Sequence, residues 1–126
     1  MGVRFIKVSV VYFLLGVILG IYMGFADMFQ FSSAHTHINL LGWVSLAITG
    51  IIYHFFKEAG ENKLATVHFW LMMIGVPLLC VAMILFGLGK FAIGGPISGV
   101  GGVLILTGVI IFVVNVMKNV KPKARS

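Results

Sequence analysis

The stretch 32-SSAHTHINLLGWV-44 sets two histidines, His35 and His37, one residue apart, and runs at once into an apolar segment. That segment continues to about Phe56 with no Asp, Glu, Lys or Arg before Lys57. A charge-free run of about 20 residues, at 1.5 Å per residue, is long enough to cross the hydrocarbon core of a bilayer. The stretch therefore predicts a membrane-spanning helix that carries two ionisable rings. Polar rings in such a setting point to function by default.

Three more runs of the same kind flank it, at about residues 5–25, 64–88 and 97–117. The segments KEAGENK (57–63) and GKFAIGGP (89–96) read as breaks between them. Hydrophobic residues make up 60% of the 126, charged residues only 10%, and the mean hydropathy is +1.13. A soluble domain of this size could not hide so much apolar surface. Backbone polar groups in lipid must be paired within each segment, so the expected fold is all-α: one integral membrane four-helix bundle over residues 1–126. The first run is also too long for a signal peptide, whose apolar region spans about 7–15 residues.

Four spans put both termini on one side. That side would hold Arg4, Lys7, Lys57, Lys63, Lys118, Lys121, Lys123 and Arg125, and the other only Lys90. The positive-inside rule then predicts an inner-membrane, multi-pass protein with both termini in the cytoplasm. His35 and His37 fall near the outer face, His54 and His68 near the inner one. The net charge of +6 is thus explained by topology, and the basic residues form no nucleic-acid patch. The single cysteine, Cys80, excludes an intrachain disulfide and reads as a small core residue. No CxxCH occurs, which speaks against covalent c-type haem.

Small residues recur every fourth position at Gly16, Gly20 and Gly24, at Gly95 and Gly99, and at Ser98 and Gly102. Such faces let helix backbones approach. Pro77 is expected to kink the third helix. His54, beside Tyr53 and Lys57, reads as an interfacial residue, and His68 as a hydrogen-bonded packing residue. Trp43 and Trp70 read as packing or interfacial anchors.

Successive helical residues turn by about 100°, so His35 and His37 point about 200° apart. They cannot share one metal, but they can serve two centres, or one centre and a neighbouring helix. Asn39 and Gly42 lie on the His35 face at i+4 and i+7, where a glycine could let a flat ligand approach the backbone.

The segment AHTHINLLGWVSLAITGIIYHFFKEAGENKLATVHFWLMMIGVPLL resembles the tenth and eleventh helices of subunit I of the haem–copper oxidases. There a His-x-His pair opens a helix on the outer side, and a short loop and an HFW-like helix start follow. The chain also resembles small four-helix bacterial proteins of cytochrome-c-oxidase-like type. By this resemblance His35 would ligate a high-spin haem and His37 a low-spin haem, while His68 would ligate none. The helix with the copper-binding histidines and the His–Tyr crosslink of that family have no counterpart here. The family's large subunit is built of three similar four-helix arcs, so a chain with one arc could rebuild the ring as a homotrimer.

These observations predict a membrane protein that binds b-type haem for electron transfer or for binding oxygen or nitric oxide. His35 and His37 are the expected metal ligands, with Asn39 and Gly42 lining the cofactor. His54 is 17 residues beyond His37, about 25 Å along a helix. A second axial ligand would therefore come from another chain, or from Met23, Met28 or Met83. Gln30, Ser32, Ser33 and Lys90 lie at a level to meet propionates. Turnover would require an exchangeable axial site and stays open. A cofactor-free assembly or partner protein and a copper-binding protein are the alternatives, since imidazole also suits copper.

Overall fold

The computed structural model describes residues 1–124; Arg125, counted above with the basic residues, and Ser126 lie outside the described residues. The described chain is helical, with no strand among its elements. Four helices are long and apolar enough to cross a membrane: α1 (Gly2–Ala26), α2 (Phe29–Phe55), α3 (Lys63–Gly87) and α4 (Phe91–Asn119). This is a multi-pass membrane protein. At 1.5 Å per residue the helices are about 37–44 Å long, enough for the hydrocarbon core with turns to spare. Large apolar side chains such as Leu14, Ile18, Val103 and Leu106 stand exposed on the outside, where lipid would cover them.

Two boundaries differ from expectation. Helix α2 begins at Phe29, so the histidine pair lies about two turns inside the helix instead of opening it. Helix α4 begins at Phe91, so AIGGP is helical and not part of a break. The cause is a tight cap at the end of α3. Gly89 takes a left-handed conformation (φ 75°), Lys90 N–H donates to Leu85 O at 2.8 Å, and Gly89 N–H donates to Phe86 O at 3.0 Å. This glycine-dependent closure reverses the chain in three residues. Asp27 (φ 56°) does the same work after α1, with Met28 N–H on Met23 O at 3.1 Å. Helix α3 runs through Pro77 as one element.

Within α2 the backbone changes pitch. A 3₁₀ turn (Phe29–Phe31) leads into α-helix at Ser32–His37, then eight residues of π-helix (Ile38–Ser45), then α-helix again at Leu46–Phe55. The Ser45 hydroxyl donates to Leu40 O, five residues back, at 2.7 Å. Wide turns of this kind are rare and cluster at functional sites. This one follows His37 directly.

The extensive helix contacts follow chain order, α1 with α2, α2 with α3, and α3 with α4 most of all. The α1–α2 seam is antiparallel and glycine-fitted. Gly2 meets the His54 backbone, Gly50 meets Ile6, Gly42 meets Tyr12, Gly16 meets Asn39, and Gly20 meets His35. The α3–α4 seam uses Gly94, Gly101 and Gly108, spaced by seven; a Cβ on Gly101 would lie 2.9 Å from the Leu79 backbone nitrogen. The four-residue spacing read from sequence is thus used at Gly16 and Gly20, whereas Gly24, Gly95, Gly99 and Gly102 face open space. A seven-residue repeat keeps one face of α4 on α3 and turns the other glycines away.

Both chain ends meet the connection between α2 and α3. The N-terminal ammonium donates to Gly60 O at 3.1 Å, and Lys121–Lys123 lie over Phe55 and Phe56. This end is called terminal below, and the end holding Met28 and Lys90 distal. All four helices converge at the terminal end: Phe5 packs on Tyr53, His68 and Phe69, and Phe112 packs on Tyr53 and His68.

Candidate functional site

His35, Asn39 and Gly42 do share one face of α2, and α1 covers it. The His35 ring sits over Gly20, the Asn39 amide over Gly16, and the Tyr12 ring fills the space above Gly42. The Asn39 amide nitrogen donates to His35 O at 2.8 Å, which fixes its orientation, and lies 3.3 Å from His35 Nδ1. With Nδ1 facing a donor, the proton of a neutral His35 belongs on Nε2. This imidazole is held as part of a helix seam, and Gly42 serves the same seam by admitting Tyr12.

His37 is arranged differently. Its Nδ1–H donates to the Ser33 carbonyl one turn back, at 2.7 Å. A carbonyl only accepts, so Nδ1 carries a proton, and in the neutral ring the Nε2 lone pair is left free. Metal-binding histidines are oriented in this way, with the second nitrogen held by a backbone carbonyl or carboxylate. The ring is half-buried. The two histidines therefore differ in kind: one is committed to packing and the other presents an unshared nitrogen.

The methionines fall around the same end. Met83 is buried on α3, and its sulfur accepts from the Ser33 hydroxyl at 3.1 Å, on the residue whose carbonyl holds His37. The Met28 sulfur accepts from Tyr22 at 3.0 Å, and Met23 is buried. The Ser32 hydroxyl donates to Phe29 O at 2.6 Å. Both serine protons are thus engaged, which leaves Gln30 and Lys90, both exposed, for an anionic group.

At the terminal end His54 is exposed, as an interfacial residue would be. His68 is 2% exposed, lies between the rings of Phe5 and Phe112 at centroid distances of 5.1 Å each, and hydrogen-bonds Tyr53 at 3.0 Å. Trp43 stacks on Phe13 at 4.7 Å, and Trp70 is exposed on the outside of α3.

Sequence reasoning passed over Asn115, which is fully buried and holds this end together. Its amide nitrogen donates to Ala59 O at 2.8 Å and to the Tyr53 hydroxyl at 3.2 Å. Its oxygen accepts from Asn62 at 2.7 Å and from Asn119 at 2.8 Å. Asn62 in turn caps α3 by accepting from Ala65 N–H at 2.9 Å. The signal was a lone asparagine in the apolar run IIFVVNVM.

Among the described residues, no three His, Cys, Asp or Glu side chains converge as a metal cluster. No family model, no curated protein and no solved structure matches the chain.

Proposed function

We propose that this chain is one protomer of a homo-oligomeric inner-membrane protein that holds b-type haem through His37, for electron transfer or for binding oxygen or nitric oxide. The observation that carries the reading is the His37 arrangement: Nδ1–H fixed on Ser33 O at 2.7 Å, Nε2 unshared, beside a π-helical segment. When bound, haem supplies iron that exchanges electrons or takes a diatomic gas. The chain's own residues orient the imidazole, through the Ser33 carbonyl one turn back.

The donor chemistry suits haem better than bare copper. A copper ion takes several of its ligands from protein, and no three His, Cys, Asp or Glu side chains converge within one chain among the described residues. Haem brings its own equatorial nitrogens and needs one or two axial ligands. His35 lies in the α1–α2 seam, so a second ligand would come from a neighbouring chain, with Met83 of the same chain as the internal alternative. The open glycines of α4, Gly95, Gly99 and Gly102, offer a close-approach face for that neighbour. The sidedness of the basic residues and the likeness to one four-helix arc favour a trimer with its termini in the cytoplasm.

The test is haem content per chain after expression with haem precursor, for the wild type, His35→Ala and His37→Ala. Loss in His37→Ala with substantial retention in His35→Ala is expected. Full retention in His37→Ala refutes the assignment. A cofactor-free packing protein is the second reading, favoured by the way Gly16 and Gly20 receive Asn39 and His35. It predicts no haem in any of the three.

A further inference from the structure

Pro122 stops α4 from continuing, and the chain leaves it extended at Val120 (ψ 108°) to fold back over the end of α2. Two adjoining cavities open there. The first, about 550 Å³, is lined by Lys57, Glu58, Asn119, Lys121 and Lys123 together with Phe55 and Phe56. The second, about 440 Å³, shares Phe55, Phe56, Lys121, Pro122 and Lys123 with it, and adds Ile51 and Ile52 from the spanning part of α2. Ile51 and Phe55 are exposed on the outside of the helix row, where lipid tails would lie. One space therefore runs from the side chains of three lysines and one glutamate to a mostly apolar floor of Ile51, Ile52, Phe55 and Phe56.

We propose that this double cavity seats one anionic phospholipid, its phosphate among Lys57, Lys121 and Lys123 and an acyl chain along Ile51, Ile52 and Phe55. Basic pockets at the headgroup level of spanning helices recognise lipid phosphates in this way. A zwitterionic headgroup carries its own cation and gains little from three lysines facing one glutamate. A free phosphate would account for the lysines but not for the apolar floor. The site is independent of the haem reading, since its residues lie at the opposite end of the molecule from His37.

The experiment is native mass spectrometry of delipidated protein in mild detergent, titrated with dioleoyl phosphatidylglycerol, with dioleoyl phosphatidylcholine, and with inorganic phosphate as competitor. Selective retention of phosphatidylglycerol is expected, weakened about fivefold by Lys121→Gln and again by Lys123→Gln. Lys63→Gln removes the same charge at the same end outside the cavities and should leave retention unchanged. Ile51→Ser should weaken the phospholipid. Equal retention of the two lipids overturns the proposal. So does a Lys63→Gln effect as large as that of Lys121→Gln, which would mean diffuse charge attraction. Displacement by inorganic phosphate with no effect of Ile51→Ser would make this a free-anion site and overturn it likewise.

Discussion

Replacing Asn115 by leucine tests how the terminal end is held. The side chain is fully buried and uses its whole hydrogen-bonding capacity: two donations, to Ala59 O and Tyr53, and two acceptances, from Asn62 and Asn119. Leucine keeps an apolar side chain in the space and removes all four. Tyr53 keeps His68 as a partner, and Asn62 and Asn119, both half-buried, are accessible enough to find others. The loss that remains is the buried Ala59 carbonyl. An orphaned buried group costs about 1–3 kcal/mol. Membrane-helix hydrogen bonds average about 0.6 kcal/mol, so four bonds give about 2 kcal/mol, within that range. Equilibrium unfolding in mixed micelles of mild detergent and dodecyl sulfate, followed by tryptophan fluorescence, measures the difference directly. Asn119→Leu, which gives up one accessible bond, should cost under about 1 kcal/mol. If Asn115→Leu proves as stable as Asn119→Leu, the network does not close the helix row, and the reasoning fails.

The two sets of α4 glycines should separate in the same assay. Gly101→Ala places a methyl against the Leu79 backbone and should destabilise the chain by about 1–3 kcal/mol, whereas Gly95→Ala and Gly99→Ala, which meet open space within the chain, should leave the single chain's packing unchanged. Native mass spectrometry should show three chains for the wild type and fewer for Gly95→Leu/Gly99→Leu; an unaltered trimer in that variant would remove α4 from the interface. Gly60→Ala drives a methyl into the Tyr53 carbonyl and should cost about 3 kcal/mol in unfolding, with no rescue by a smaller neighbour because the obstacle is backbone. Reporter fusions in the 57–62 connection and after the C-terminus should both signal cytoplasm, and one at Gly89 the outside; an external 57–62 connection would reverse the sidedness argument.

Hydropathy alone made the four helices legible, because a bilayer demands long apolar segments and little else looks like them. Their ends were less so. The start of α4 depends on a glycine-closed turn at Gly89 that accommodates the following residues as helix, and a cluster of glycines with a proline reads as a break instead. The pitch change at Ile38–Ser45 has no compositional signature. Within it Gly42 receives the Tyr12 ring of α1, a contact between residues 30 positions apart. The histidine pair was visible as a pair, and helical geometry separated its members. What distinguished them chemically was local partnering: Asn39 at i+4 from His35, and the Ser33 carbonyl at i−4 from His37. Asn115 was legible as a polar residue in an apolar run, but its four partners come from three other parts of the chain and from one residue on its own helix.

The central claim is that His37 offers an unshared nitrogen to haem iron. The most direct measurement is the optical absorption spectrum of purified wild-type protein, oxidised and dithionite-reduced, beside that of His37→Gly with and without added imidazole. The account predicts a Soret band in the wild type, its loss or a shift to high spin in His37→Gly, and its recovery when imidazole enters the vacated space. A colourless wild-type protein, or a His37→Gly spectrum identical to wild type, would contradict it.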